Sequence, residues 1–111
     1  MPTATPTLDT VFQALANPTR RVVLERLGHG PASVSELAEP FDMALPSFLQ
    51  HLEVLETSGL VASRKKGRVR TVRIVPRRLE RAVAWLAKQR ALWERRLDQL
   101  DDILTTMEDH A

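Results

Sequence analysis

The chain has 111 residues, 43% of them hydrophobic and 27% charged, which suits one folded core and is too apolar for a disordered segment. It has no cysteine, which excludes disulfides and thiolate metal sites, and no apolar run approaches the roughly 18 to 20 residues of a membrane span. The formal charge of +2 hides six basic residues between Arg64 and Arg73 with no acidic one among them, leaving the remainder at −4, a local electrostatic footprint that fits a polyanion.

Residues 1–7 read as a flexible N-terminus with two prolines and none of the marks of a signal peptide, so the cytoplasm is the expected location. Thr7 can cap a first helix in which Leu8, Val11, Phe12 and Leu15 recur at helical spacing. Asn17-Pro18 marks a break and a restart, Asn as N-cap and Pro at the first helical position, opening a helix over 18–27 that ends before Gly28. Ser33-Val34-Ser35-Glu36 reads as a capping box for a short helix that Pro40 terminates. A five-residue turn, Phe41 to Leu45, leads into a helix from Pro46 to Ser58, with Leu45, Phe48, Leu52 and Leu55 as its buried positions and Gly59 as its stop. Short helix, tight turn, second helix is the helix-turn-helix plan.

After Gly59 the period changes. Leu60–Arg64 and Val69–Ile74 read as strands joined through Lys65-Lys66-Gly67-Arg68, with Gly67 suited to a positive φ. The basic residues thus fall on a β-hairpin, a wing. From Pro76 one long helix is predicted. Leu79, Val83, Leu86, Arg90, Trp93, Leu97, Leu100, Leu104 and Met107 alternate in spacings of four and three, an apolar seam that only Arg90 interrupts and that is longer than so small a domain buries against itself. The fold class predicted is mainly α with a small β-hairpin, a winged helix-turn-helix over 8–75. Residues 76–111 form the C-terminal dimerisation helix, with Leu86, Trp93, Leu97, Leu100 and Leu104 at the contact.

Three stretches resemble the ArsR/SmtB family of bacterial winged-helix repressors: Ala14-Leu15-Ala16-Asn17-Pro18-Thr19-Arg20-Arg21, then Ser35-Glu36-Leu37-Ala38, then His51 to Val61. The resemblance covers about residues 8 to 75. It implies a homodimer whose recognition helices enter successive major grooves of double-stranded DNA while the wings reach flanking backbone, with release by a metal or an unidentified small-molecule effector. The family's metal sensors have a Cys-x-Cys pair at the start of the short helix, where this chain has Ser33 and Ser35, poor ligands for thiophilic metals. Other sensors use Asp, His and Glu clusters on the last helix, which here has only His110. The chain is thus similar to the branch lacking metal-sensing cysteines, and neither a metal nor a cofactor is expected. In the recognition helix, relatives usually place Ser two residues before the His and often Lys just before it, at the positions of Leu49 and Gln50. Ala44 occupies an N-cap position where Ser is usual. Leu49 would pack beneath the helix or touch a thymine methyl.

Arg64, Lys65, Lys66, Arg68 and Arg70 suit phosphate or minor-groove contacts, and Ser47, Gln50, His51 and Val54 lie off the apolar stripe of the recognition helix. Gln50 has the amide geometry for adenine. His51 is equally suited to a structural hydrogen bond. Arg20 and Arg21 oppose the dipole at the start of the second helix, which suggests a salt bridge to Glu25 over a phosphate contact. No glycine-rich phosphate loop or nucleophile arrangement is present, and the histidines are scattered at 29, 51 and 110, so no enzymatic activity is expected. The alternative is a winged-helix protein-interaction module that has lost DNA binding.

Overall fold

The computed structural model describes residues 7–109. Of the predicted flexible N-terminus only Thr7 is among them, and His110 lies outside them. Helix α1 (Leu8–Leu15) starts on a capping box in which the Thr7 and Thr10 side chains each accept from the other's backbone N–H. Helix α2 (Pro18–Leu27) follows with Asn17 as N-cap, its side chain accepting from the Arg20 N–H, and Pro18 at the first position. Strand β1 (Ala32–Ser33) runs into the short helix α3 (Val34–Ala38), where Ser33 and Glu36 form the expected capping box. Helix α4 (Leu45–Thr57), strands β2 (Val61–Lys66) and β3 (Val69–Ile74) and helix α5 (Pro76–Asp109) complete the order.

The sheet is antiparallel with β3 at its centre, β1 on one side and β2 on the other. The short edge strand, which pairs Ala32 with Val72 and Ser33 with Thr71, was not predicted. The hairpin is also tighter than predicted. Lys65 and Lys66 continue β2, Lys66 pairs with Val69, and only Gly67 and Arg68 form the loop. Gly67 has φ of +63° and Arg68 has no positive φ, the pattern of a type II′ turn with glycine first.

The core gathers Val11 and Ala14 of α1, Val23 and Leu27 of α2, Leu37 of α3, Phe48, Leu52 and Leu55 of α4, and Val61 and Val72 of the sheet. Leu45, predicted to be buried, is 54% exposed. It is the first residue of α4 and projects beyond the edge of that core. Truncating a buried side chain such as Leu52 to Ala in this packing costs about 2–5 kcal/mol.

Helix α5 leaves the core early. Of its 34 residues only Ala82 is fully buried, and Trp85 meets Phe12 of α1 edge-to-face at 5.8 Å between ring centroids. Along the predicted seam, Trp93, Leu97 and Met107 each expose 60% or more of their surface. The seam is therefore not folded back onto the chain's own core. The radius of gyration of 20.4 Å exceeds the roughly 13 Å of a compact chain of this size because the helix, about 51 Å long, projects from the body. Among the described residues no helix is long and apolar enough to cross a membrane.

Candidate nucleic-acid interface

The recognition helix is held by one face and presents the other. Phe48, Leu52 and Leu55 anchor it, while Pro46, Ser47, Gln50, Glu53, Val54 and Thr57 lie on the opposite, exposed face. Helical periodicity produces this division directly, since residues three and four apart share a side. Three of the four predicted reading residues, Ser47, Gln50 and Val54, lie together there. Glu53 was missed, although its place between Gln50 and Val54 is legible from the same spacing. Its carboxylate accepts hydrogen bonds and repels phosphate, so it suits a cytosine amino group rather than the backbone. Leu49 is half-buried against the core and borders the cleft between α4, α3 and the wing. It packs, as the first of its two expected placements required.

The end of α4 is built from backbone. Ser58 is the C-cap, Gly59 follows with φ of +80°, its N–H bonds to the Glu56 carbonyl at 3.0 Å, and the Leu60 N–H reaches the Leu55 carbonyl at 3.2 Å. This is a Schellman closure, and it turns the chain straight into β2. The start is weaker, because Ala44 offers no side-chain cap.

His51 lies on the flank of the helix, half-buried, with Nδ1 3.1 Å from Nη1 of Arg20. Arg20 makes no salt bridge to Glu25, contrary to expectation. Its Nε donates to the Ala14 carbonyl at 2.8 Å and its Nη2 to the Gln13 carbonyl at 2.9 Å. Arg21 donates in the same way to the Leu15 carbonyl at 2.8 Å. These are carbonyls of the last turn of α1, where that of Gln13 also accepts from the Ala16 N–H at 3.2 Å. The negative end of that helix, one residue before Asn17, accounts for two cations at the start of α2.

The six basic residues of the hairpin do not form one patch. Strand alternation divides them by parity. Arg64, Lys66 and Arg73 share the outer face with Thr71 and Val69, whereas Lys65 and Arg70 share the inner face with the buried Val61 and Val72. Arg68 is at the tip. Arg64, Lys65, Lys66 and Arg68 are all exposed. Arg70 is half-buried, pairs with the Glu56 carboxylate of α4 and donates from Nε to the Ser63 hydroxyl at 2.9 Å. It thus fastens the wing to the recognition helix. At the other end of the interface, the hydroxyl and backbone N–H of Ser33 hold the Glu36 carboxyl below its ordinary range, with Arg26 adding a smaller effect. Ser33 is committed to capping.

Comparison with known proteins identifies the domain. The model of a helix-turn-helix domain family matches residues 15–64. The HTH-type transcriptional regulator Rv2034 of Mycobacterium tuberculosis is 46% identical over 68 residues, a stretch that spans 61% of this chain and 64% of that protein. The transcriptional repressor SdpR of Bacillus subtilis is 33% identical over 60 residues, 54% of this chain and 67% of the repressor. The crystal structure of an ArsR family transcriptional regulator, RHA00566, superposes with a TM-score of 0.76 at 59% identity, covering 78% of this chain and 90% of that one. The chain belongs to the ArsR family of transcriptional regulators.

Proposed function

We propose that the chain is a sequence-specific DNA-binding regulator of transcription, a homodimeric repressor without catalytic activity that acts in the cytoplasm on an inverted-repeat operator. The observation that supports this most is the exposed face of α4, bearing Ser47, Gln50 and Val54, set beside a hairpin whose Arg64, Lys65, Lys66 and Arg68 are free of acidic partners among the described residues. The helix has the size and polarity to enter a major groove, and the hairpin has the charge to grip flanking phosphates. The exposed seam of α5, through Leu86, Trp93, Leu97, Leu100 and Leu104, supports the homodimer, since two copies would cover each other's apolar stripe. An effector would find room in a mostly apolar cleft of about 300 Å³ between α2 and the start of α5, lined by Leu15, Leu24, Leu60, Ile74, Val75 and Leu79.

Fluorescence anisotropy with an operator obtained by selection from random duplexes, and with mixed-sequence duplex, tests the reading. Changing Lys66 and Arg68 together to Ala should weaken both duplexes and reduce the salt dependence by about one unit of slope per lost phosphate contact. Gln50→Ala should cost about 1–3 kcal/mol on the operator and little on mixed sequence. If no duplex is bound at low salt, the domain is an interaction module instead.

A further inference from the structure

We propose that Arg20 is a positioning residue for DNA recognition, fixing His51 as the Nε2–H tautomer and turning that N–H outward as a donor to a DNA backbone phosphate. The inference rests on α4 being the DNA-reading helix. Two of the guanidinium's donors are already committed, to the Ala14 and Gln13 carbonyls, so the end of α1 sets its orientation. A further donor, on Nη1, lies 3.1 Å from His51 Nδ1. A guanidinium has only donors, so Nδ1 accepts, and a neutral ring then bears its proton on Nε2. Among the described residues no protein group bonds to Nε2, and no buried side-chain nitrogen or oxygen lacks a partner, so Nε2 reaches solvent.

The place of His51 selects the acceptor. His51 is one residue on from Gln50, about 100° round the helix toward the buried side, where Arg20 of α2 meets it, so it lies at an edge of the exposed face. A helix seated in a groove has bases under its centre and backbone along its edges. A donor-only group at the edge meets phosphate oxygens there. Because the ring is neutral, the bond adds affinity without displacing a counterion, which separates it from every wing contact.

The test combines nitrogen-15 NMR of the histidine rings with operator binding at several salt concentrations, on the duplex selected above. In the wild type, Nδ1 of His51 should be unprotonated and Nε2 protonated, and Arg20→Lys, which keeps the charge but loses the fork, should give mixed tautomers. Arg20→Lys and His51→Phe should each weaken operator binding about tenfold, with an unchanged salt slope and no further loss when combined. His51→Gln, whose amide keeps a donor near the Nε2 position, should bind within about threefold of wild type. If Arg20→Lys fails to fold, the wild-type tautomer decides for Arg20 and the two His51 variants decide for the phosphate contact. A protonated Nδ1 in the wild type, additive losses, or a slope reduced by about one in Arg20→Lys would overturn the proposal, the last by showing that Arg20 itself touches phosphate. Normal binding by Arg20→Lys and His51→Phe, with weak binding by the Lys66 and Arg68 variant, overturns this link alone. Failure of the wild type to bind any duplex overturns the DNA-binding reading with it.

Discussion

Gly59 is the glycine at which an added methyl group meets the closest obstruction. Its φ of +80° is strained for any L side chain, and a Cβ there would meet Cγ of Arg78 at 2.8 Å. Gly59→Ala should destabilise the fold by about 1–2 kcal/mol or more, read as a lower midpoint in urea unfolding. An unchanged midpoint would show that the Schellman closure tolerates αL alanine and that Arg78 moves aside freely. At the same scale, Ser47, Gln50 and Val54 were legible because helical spacing alone assigns them to the face opposite Phe48 and Leu52. Arg20 and His51 were not. They are 31 positions apart, and only the packing of α1 against α2 and α4 brings the last carbonyls of one helix to a side chain that also reaches another. Arg70 was hidden for a related reason. A count of charges along the hairpin cannot tell which strand face each one joins, and parity places Arg70 against Glu56.

Among the elements, the helices were readable to within a residue or two because their ends are written in side chains: Thr7, Asn17 with Pro18, and Ser33 with Glu36. Strand β1 was not, since two residues have no periodicity and Ala32–Ser33 become a strand only because β3 lies beside them. The recognition helix, unlike α1, α2 and α3, has nothing but the Ala44 backbone at its start. Ala44 has the extended conformation of an N-cap, φ −64° and ψ 145°, so a hydroxyl placed there could accept from the first turn without rearrangement. Ala44→Ser should therefore stabilise the protein by about 0.5–2 kcal/mol, seen as a rise of several degrees in the thermal midpoint. No gain would mean that the start of α4 is already satisfied by water.

For the whole molecule, the exposed seam of the projecting helix is the surface on which the proposed dimer depends. Replacing Leu97 and Leu100 with Glu should convert a dimer to monomer in sedimentation equilibrium while circular dichroism stays helical, because neither side chain contributes to the core. A dimer that survives both changes would assign the interface to α1. The joint at the base of that helix has a mechanical consequence. Val75 is the one residue between β3 and α5, and its N–H is held by the Leu60 carbonyl at 2.8 Å, so no slack loop separates sheet from helix. The hairpin is a lever about 20 Å long. A tilt of about 10° passed through that joint sweeps its tip through about 3.5 Å, enough to lift a lysine or arginine out of hydrogen-bonding range of a phosphate. On the proposed reading, whatever sets the angle of the long helix would also set the reach of the wing, so that the two ends of the protein would turn as one crank.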